Sequence, residues 1–215
     1  MQMISAARKT AIAAIAGAGL LLAASQSHAV VVYSGVVNLA VPATTNGLYL
    51  NVVNGANNLP GSTAGTTVPG WDINVWSSTG LNLFNNSNVT PIAGTAGSYV
   101  VTGTNTGANL TSGTSIGSAS TFGASTSTSQ WVLNSSNNIF GFRFVNEANN
   151  QIHYGWARLA IGSTLTTRSL VDFAFESVPG ASIGAGVTAV PEPSTYAMMG
   201  LGVAGLLLLS RRRKG

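Results

Sequence analysis

Aromatic and polar side chains alternate in the last third of this chain, and the alternation limits that region to extended structure. Residues 139–145 place three phenylalanines on one face of a strand and Arg143 on the other. Residues 152–161 alternate in the same way after the turn-rich stretch 146–150. Because successive side chains of a strand point to opposite faces, the two runs predict an antiparallel hairpin with an aromatic inner face.

The rest of residues 30–189 fits further short strands. A third run, residues 170–176, places Val171 with two phenylalanines on one face and two carboxylates on the other. Upstream, β-branched and aromatic runs are separated by Gly, Asn, Pro and Ser, and no window shows the apolar period of a helix. We therefore predict one all-β domain over residues 30–189, an antiparallel sandwich or a jelly-roll-like fold.

Residues 102–129 differ from the rest in composition. All of them except Leu110, Ile116 and Phe122 are Ser, Thr, Asn, Gly or Ala. A low-complexity stretch of this kind fits disorder. It also fits polar edge strands and long loops, with the three apolar residues as anchors, and we favour this second interpretation.

The formal net charge of +4 comes from the two ends of the chain. Residues 8–9 and 211–214 are all basic, whereas residues 30–189 hold three arginines and four carboxylates. This middle part is nearly neutral and lacks the positive surface of a nucleic-acid-binding protein. Asp72 is its only charged residue before position 143, and the chain has no cysteine. The surface must therefore consist largely of uncharged polar groups, and no disulfide stabilises it.

The last 26 residues read as a targeting signal and not as part of a folded domain. Val190 to Ser194 has the sequence Val-Pro-Glu-Pro-Ser, and an apolar stretch follows over residues 195–210. The chain then continues with four cations, which are Arg211, Arg212, Arg213 and Lys214. Clustered positive charge marks the cytoplasmic end of a membrane span. The apolar stretch is shorter than the ~20 residues that usually cross a bilayer as a helix. We predict a single transmembrane helix over residues 195–210; the alternative is a buried C-terminal core helix.

Residues 1–29 have the order of a secretory signal peptide. Arg8 and Lys9 precede an apolar stretch over residues 11–24, and Ser27-His28-Ala29 fits a small-x-small cleavage site. We predict cleavage after Ala29, with signal peptidase and the export machinery as partners. The alternative is an uncleaved membrane anchor.

The Pro-Glu-Pro motif, the short span and the terminal arginine cluster, on a chain with a signal peptide, resemble the PEP-CTERM sorting proteins of Gram-negative bacteria. The resemblance implies that an exosortase, a membrane-embedded cysteine transpeptidase, recognises Pro191, Glu192 and Pro193. This enzyme would cut at or near the motif and release or re-anchor the mature domain. The resemblance also implies export through the inner membrane with a transient membrane anchor, then the cell surface or an extracellular matrix, with a link to exopolysaccharide and biofilm.

A second likeness lies upstream of the motif. The run FGFRFVNEANNQIHYGWARLAI, followed by VDFAFE, is similar to a block that recurs before the sorting signal in many PEP-CTERM proteins, and it has no assigned activity. Such proteins often carry an Asp-rich, calcium-like run earlier in the chain. Here Asp72 is the single carboxylate at the comparable place, and a hard cation needs several oxygen ligands. We predict no metal site and no cofactor.

Few residues of the middle part could carry catalysis. Residues 113–117 match G-x-S-x-G, but they lie in a Ser/Thr/Gly tract and not between a strand and a helix. His153 is expected to be a surface or hydrogen-bonded residue, and we predict no catalytic residue. A glycosidase needs two facing acids. We expect the carboxylates instead to pair with arginines on the outer sheet face; the residues concerned are Glu147, Asp172, Glu176, Arg143, Arg158 and Arg168.

Together these observations predict a non-enzymatic, exported structural protein of the cell surface or extracellular matrix. The alternative is a carbohydrate-binding module, in which Trp76 or Trp131 would be the exposed stacking platforms and exopolysaccharide the partner. A glycan hydrolase is a third and weaker interpretation, because it requires two acids in one cleft.

Overall fold

The structure is a computed structural model that describes residues 30–59, 68–84, 99–103, 106–123, 125–126 and 128–188. The described residues form strands and no helix. The strands are β1 (Val31–Tyr33), β2 (Leu39–Ala40), β3 (Leu48–Leu50), β4 (Ile73–Trp76), β5 (Asn82–Phe84), β6 (Tyr99–Thr102), β7 (Thr106–Gly107), β8 (Ser115–Ile116), β9 (Phe122–Gly123), β10 (Ser125–Thr126), β11 (Thr128–Ser129), β12 (Ser135–Asn146), β13 (Gln151–Ile161), β14 (Arg168–Glu176) and β15 (Ile183–Gly184).

The larger sheet is built around the three long strands of the C-terminal third. β12, β13 and β14 follow one another in the chain and pair antiparallel. The order across the sheet is β1-β14-β13-β12-β6-β7-β11, with β2 also beside β14 and β9 beside β6. The register of β12 and β13 joins Phe142 to Gly155 and Phe144 to His153. The predicted hairpin over residues 139–161 is therefore confirmed.

Gly155 allows an unusually close contact in this hairpin. The Phe142 ring lies over it, and a Cβ atom at position 155 would be 2.5 Å from Cζ of Phe142 and 2.7 Å from the backbone oxygen of Ala174. A side chain here would displace the ring or the neighbouring strand. The glycine thus lets a fully buried aromatic ring lie flat on the sheet.

The smaller sheet has the order β10-β5-β4-β3 and faces the phenylalanines of the larger sheet. The apolar side chains of both sheets belong to one buried cluster. Its principal members are Leu48, Leu50, Ile73, Val75 and Leu83 from the smaller sheet and Phe140, Phe142, Phe144, Phe173 and Phe175 from the larger. The two sheets therefore form two layers over one core, in which each buried side chain contributes roughly 1.5–3 kcal/mol.

The other face of the larger sheet carries a second buried cluster around Trp156. The Trp156 ring is fully buried, and its indole N–H donates to the oxygen of Val187 at 2.9 Å. Strands β8 and β15 pair with each other and cover this face. The apolar residues of the low-complexity stretch pack here as well; they are Leu110, Ile116 and Phe122. Their anchoring role, predicted by the β interpretation of residues 102–129, is confirmed.

The all-β prediction with antiparallel sheets is confirmed, whereas the jelly-roll connectivity stays a prediction. One detail of the third run is wrong. The register of β13 and β14 shifts between Arg158 and Leu159, so Leu170 and not Val171 packs in the core between the sheets. Val171 is the extra residue of this irregularity, and its carbonyl accepts the N–H of Val37 at 2.8 Å.

Both predicted targeting segments lie outside the described residues. These are the signal peptide over residues 1–29, with cleavage after Ala29, and the sorting segment over residues 190–215. In the part of the chain that the structure describes, no helix is long and apolar enough to cross a membrane.

Candidate functional site

Arg158 on β13 and Asp172 on β14 form a cross-strand ion pair. The Asp172 side chain has no exposed surface, and that of Arg158 is 28% exposed. Arg158 Nε donates to Asp172 Oδ1 at 2.8 Å, and Nη2 donates to Oδ2, which gives the pair a bidentate geometry. Tyr33 donates its hydroxyl to Oδ2 at 2.8 Å. Hydrogen bonding to Asp172 raises the pKa of Arg158. The predicted pairing of Asp172 with an arginine is confirmed, and it uses both carboxylate oxygens.

The other two carboxylates of the predicted pairs, Glu176 and Glu147, accept hydrogen bonds from amide groups in the described part of the chain. Glu176 accepts the backbone N–H of Val178 at 3.0 Å. Glu147 accepts the side-chain amide of Asn51 at 2.8 Å. The Arg143 guanidinium lies 4.6 Å from the centre of the Phe122 ring, within the range of a cation–π contact.

Arg168 is buried and binds carbonyl oxygens in place of a carboxylate. These acceptors come from three different loops and are Pro42, Ser77, Gly80 and Leu165. Its Nε atom has no partner among the described residues, and burial lowers the pKa of the guanidinium to about 10. Arg168 therefore ties the start of β14 to the loops before β3 and after β4.

His153 is fully buried, and both of its ring nitrogens are hydrogen-bonded. Nδ1 lies 2.7 Å from the backbone oxygen of Glu176, and Nε2 lies 3.0 Å from Nδ2 of Asn149. Because a carbonyl can only accept, Nδ1 carries the proton and Nε2 accepts from the amide. The prediction of a hydrogen-bonded histidine is confirmed, and neither nitrogen is left for a substrate.

The structure brings together two carboxylates that the sequence analysis did not pair, Asp72 and Glu147. Asp72 is buried and accepts the backbone N–H of Val52 at 2.8 Å. Glu147 reaches the same loop region from the turn after β12, by its bond to Asn51. A Cβ atom at Gly70 would lie 1.7 Å from Oε1 of Glu147, and this glycine has a φ of +65°. No local pattern signals this contact, because the two acids are far apart in the chain.

Burial raises the pKa of Asp72 to about 8. The Val52 N–H acts against this shift, and the negative charge of Glu147 adds to it. Two acids in different protonation states can form a catalytic pair when both face a cleft. Asp72 is only 4% exposed, and the cavities beside β1 and β12 are lined by other residues. In the described part of the chain, no three His, Cys, Asp or Glu side chains gather as metal ligands.

The G-x-S-x-G match lies on a two-stranded ribbon. Ser115 begins β8, which pairs with β15, and the N–H of Gly113 donates to the oxygen of Ala185 at 2.8 Å. A nucleophile elbow requires a sharp turn from a strand into a helix. No helix adjoins the match in the residues that the structure describes.

The tryptophans predicted as exposed stacking platforms, Trp76 and Trp131, are half-buried. Each indole Nε1 atom is buried and has no hydrogen-bond partner among the described residues. The Trp131 ring packs edge-on against Phe140 in the core, with their centres 6.2 Å apart. The alternation pattern could not show this, because it does not say which sheet face another element covers.

A different set of rings lies on the outer face of the smaller sheet, and we call it the outer aromatic group (Tyr49, Trp71 and Phe84). The register aligns Tyr49, Asn74 and Phe84 across three strands. The centre of the Trp71 ring lies 4.9 Å from that of Tyr49, which it meets edge-on. It lies 6.1 Å from the centre of the Phe84 ring, and these two ring planes are 20° apart. Phe84 is 45% exposed. Among the described residues, Phe84 is the one aromatic residue with an exposed side chain.

Comparison with known proteins gives one match, at the C-terminus. The family model described as the PEP-CTERM protein-sorting motif matches residues 189–214. This range contains Pro191, Glu192 and Pro193 and the basic residues 211–214, which the sequence analysis assigned to sorting. No curated protein and no solved structure matches the chain. The comparison therefore bears on the sorting of the protein and not on its β domain.

Proposed function

We propose that this chain, which carries a PEP-CTERM protein-sorting motif and is thereby an exported substrate of an exosortase, is a non-enzymatic structural protein of the cell surface or extracellular matrix. One observation carries the proposal. The sorting motif follows a β domain in which Asp172, Glu176 and His153 serve as structural hydrogen-bonding groups. A matrix link through exopolysaccharide is part of the proposal.

The uncharged surface supports a location in a hydrated sugar matrix. Low net charge usually lowers the solubility of a free protein. Residues 30–142 carry Asp72 as their only formal charge, and Asp72 is buried. The surface of this part can therefore meet polysaccharide through hydroxyl, amide and backbone groups without an electrostatic barrier.

The sorting route predicts two new chain ends. The mature protein recovered from its own cells should begin at Val30 and lack residues 211–214. Glu192→Ala should prevent the second cut, because the motif glutamate would no longer be recognised. Intact-mass spectrometry measures both ends, and Glu147→Gln is the control that alters an acid outside the motif. A wild-type protein that keeps its basic tail would contradict processing at this site.

The alternative function is carbohydrate binding, and the outer aromatic group is the observation that favours it. Trp71 and Phe84 lie nearly parallel at the surface of the smaller sheet. The faces of aromatic rings carry negative charge density and attract the weakly positive C–H groups of a sugar. The uncharged amide of Asn82 lies two residues before Phe84 on β5 and could bind a hydroxyl group.

Replacing Phe84 tests this alternative. Phe84→Ala should weaken binding to the matrix polysaccharide about fivefold or more, since stacking on one ring is typically worth about 1–3 kcal/mol in related π-systems. Affinity electrophoresis or a polysaccharide pull-down with the exported protein measures the change. Val132→Ala is the matched control, because Val132 is also exposed and lies outside this sheet. Absence of binding by the wild type, or equal binding by both variants, would exclude this surface.

A further inference from the structure

Strand β1 is an end strand of the larger sheet, and half of its backbone groups face away from the domain. Ser177 donates its N–H to Val30, and Ser34 donates its N–H to Phe173. Alternate residues of an antiparallel strand bond to the same neighbour. The N–H and C=O groups of Val31 and Tyr33 therefore point outward, and no described residue bonds to them.

The corresponding edge of the smaller sheet is covered. The N–H of Tyr49 on β3 donates to Oδ1 of Asn58 at 2.9 Å, and Nδ2 of Asn58 donates to the oxygen of Gly47 at 3.2 Å. Leu50 forms an additional bridge with Asn57. The loop after β3 thus satisfies one sheet edge, whereas no residue that the structure describes bonds to the outward groups of β1.

The side chains around β1 are apolar and exposed. Val32 is 40% exposed, and Val30 and Val36 are more so. Val32 also lines a groove of about 320 Å³ with Val37, Leu39 and Phe173. Proteins usually protect an edge strand with charged side chains, proline or a covering loop. Residues 30–41 contain no charged side chain and no proline.

We propose that β1 pairs with β1 of a second copy of this chain, antiparallel, about a two-fold axis through Val32. This inference goes beyond the proposed function and does not depend on it. The outward N–H and C=O groups of Val31 would bond to those of Tyr33 in the other copy. The same groups of Tyr33 would bond to Val31 of that copy, which gives four backbone hydrogen bonds in all. The two Val32 side chains would meet as a non-hydrogen-bonded pair, with Cα atoms about 4.5 Å apart.

A second copy is the occupant that the edge fits best. A two-fold contact uses the same patch on both partners, so one apolar strand complements itself. Because no side chain of residues 30–41 is charged, the side chains of two such strands do not repel each other. Because β1 is only three residues long, the contact is small. We expect pairing to be weak in dilute solution and to matter where the protein is concentrated.

A single cysteine tests the register, because the natural chain has none. Val32→Cys would place the two cysteines at the two-fold axis, and the separation of their Cα atoms would lie in the range that a disulfide allows. The full chain, expressed and exported to an oxidising compartment, should give a covalent dimer on a non-reducing gel that disappears on reduction. Val132→Cys, at a site that is 54% exposed, is the matched control and should remain monomeric. Equal dimer fractions in both variants, or an adduct of Val32→Cys with a different protein, would overturn the proposal.

A second variant tests the role of the backbone. Val31→Pro removes an outward N–H without touching a bond to β14, and prolines are tolerated at such edge positions. When Val31→Pro is combined with Val32→Cys, the fraction of covalent dimer should fall to that of the Val132→Cys control. An undiminished dimer would show that the contact is not strand pairing. The monomer band of the exported double variant verifies that it folds and is secreted.

Discussion

Arg158→Ala is expected to lower the free energy of unfolding by about 3 kcal/mol, as is typical when one partner of a buried ion pair is removed. The reason is the burial of Asp172, which has no exposed surface and would keep only the Tyr33 hydroxyl as a charge-stabilising partner. A surface ion pair is worth only about 0–1 kcal/mol. Urea or thermal unfolding of the exported protein measures the change.

Two further variants separate the ion pair from its surroundings. Tyr33→Phe removes one hydrogen bond to the charged Asp172 and should cost about 1.5–3 kcal/mol. Replacing both partners, as in Arg158→Met with Asp172→Leu, should recover most of the loss, because an apolar pair has no charge to desolvate. A cost below 1 kcal/mol for Arg158→Ala would mean that water reaches Asp172 in the folded protein.

The stability of the protein is expected to fall as the pH rises from 5 to 7, and Asp72 is the cause. Burial raises the pKa of Asp72 to about 8 in the folded state, far above the ordinary value of 3.8. Between these two values the folded state holds a proton that the unfolded chain has released. The contribution of protonated Asp72 to the free energy of unfolding is therefore complete below pH 4. It declines at about 1.4 kcal/mol per pH unit as the pH rises and is lost above pH 8.

Comparison with Asp72→Asn isolates this effect. The amide keeps an oxygen for the Val52 N–H and does not ionise, so this variant should lack the decline and be more stable than the wild type at pH 7. Glu147→Gln removes the negative charge that helps to raise the pKa of Asp72, so the decline should end at a slightly lower pH and the total loss of stability should be slightly smaller. Parallel stability curves for wild type and Asp72→Asn, measured by denaturant unfolding from pH 5 to 8, would contradict a protonated Asp72.

Much of the fold could be predicted from the sequence, because its main signals are local. The hairpin of β12 and β13 follows from alternation within about twenty residues and from a turn between the strands. The anchors Leu110, Ile116 and Phe122 stand out because everything around them is small or polar. The irregularity at Val171 could not be predicted, since it depends on bonds that its carbonyl receives from a segment more than a hundred residues away.

The candidate sites depended on contacts that the sequence does not encode locally. The pairing of Arg158 with Asp172 could be predicted in kind, because opposite charges on adjacent strands attract each other. The Ser77 and Gly80 carbonyls that Arg168 binds, and the Asn51 amide that holds Glu147 near Asp72, come from loops of the other sheet. The outer aromatic group was missed for a similar reason. Trp71 precedes β4 and folds over the sheet, so the strand pattern does not assign its position.

The place of β12, β13 and β14 at the C-terminal end of the domain has a consequence for secretion. A chain that crosses a membrane with its N-terminus leading delivers β1 to β5 first, and the apolar sides of β3, β4 and β5 have no partner until the long meander arrives. The strands that complete the core are thus the last part of the domain to emerge. The two-layer core can therefore form only when translocation of the domain has nearly ended.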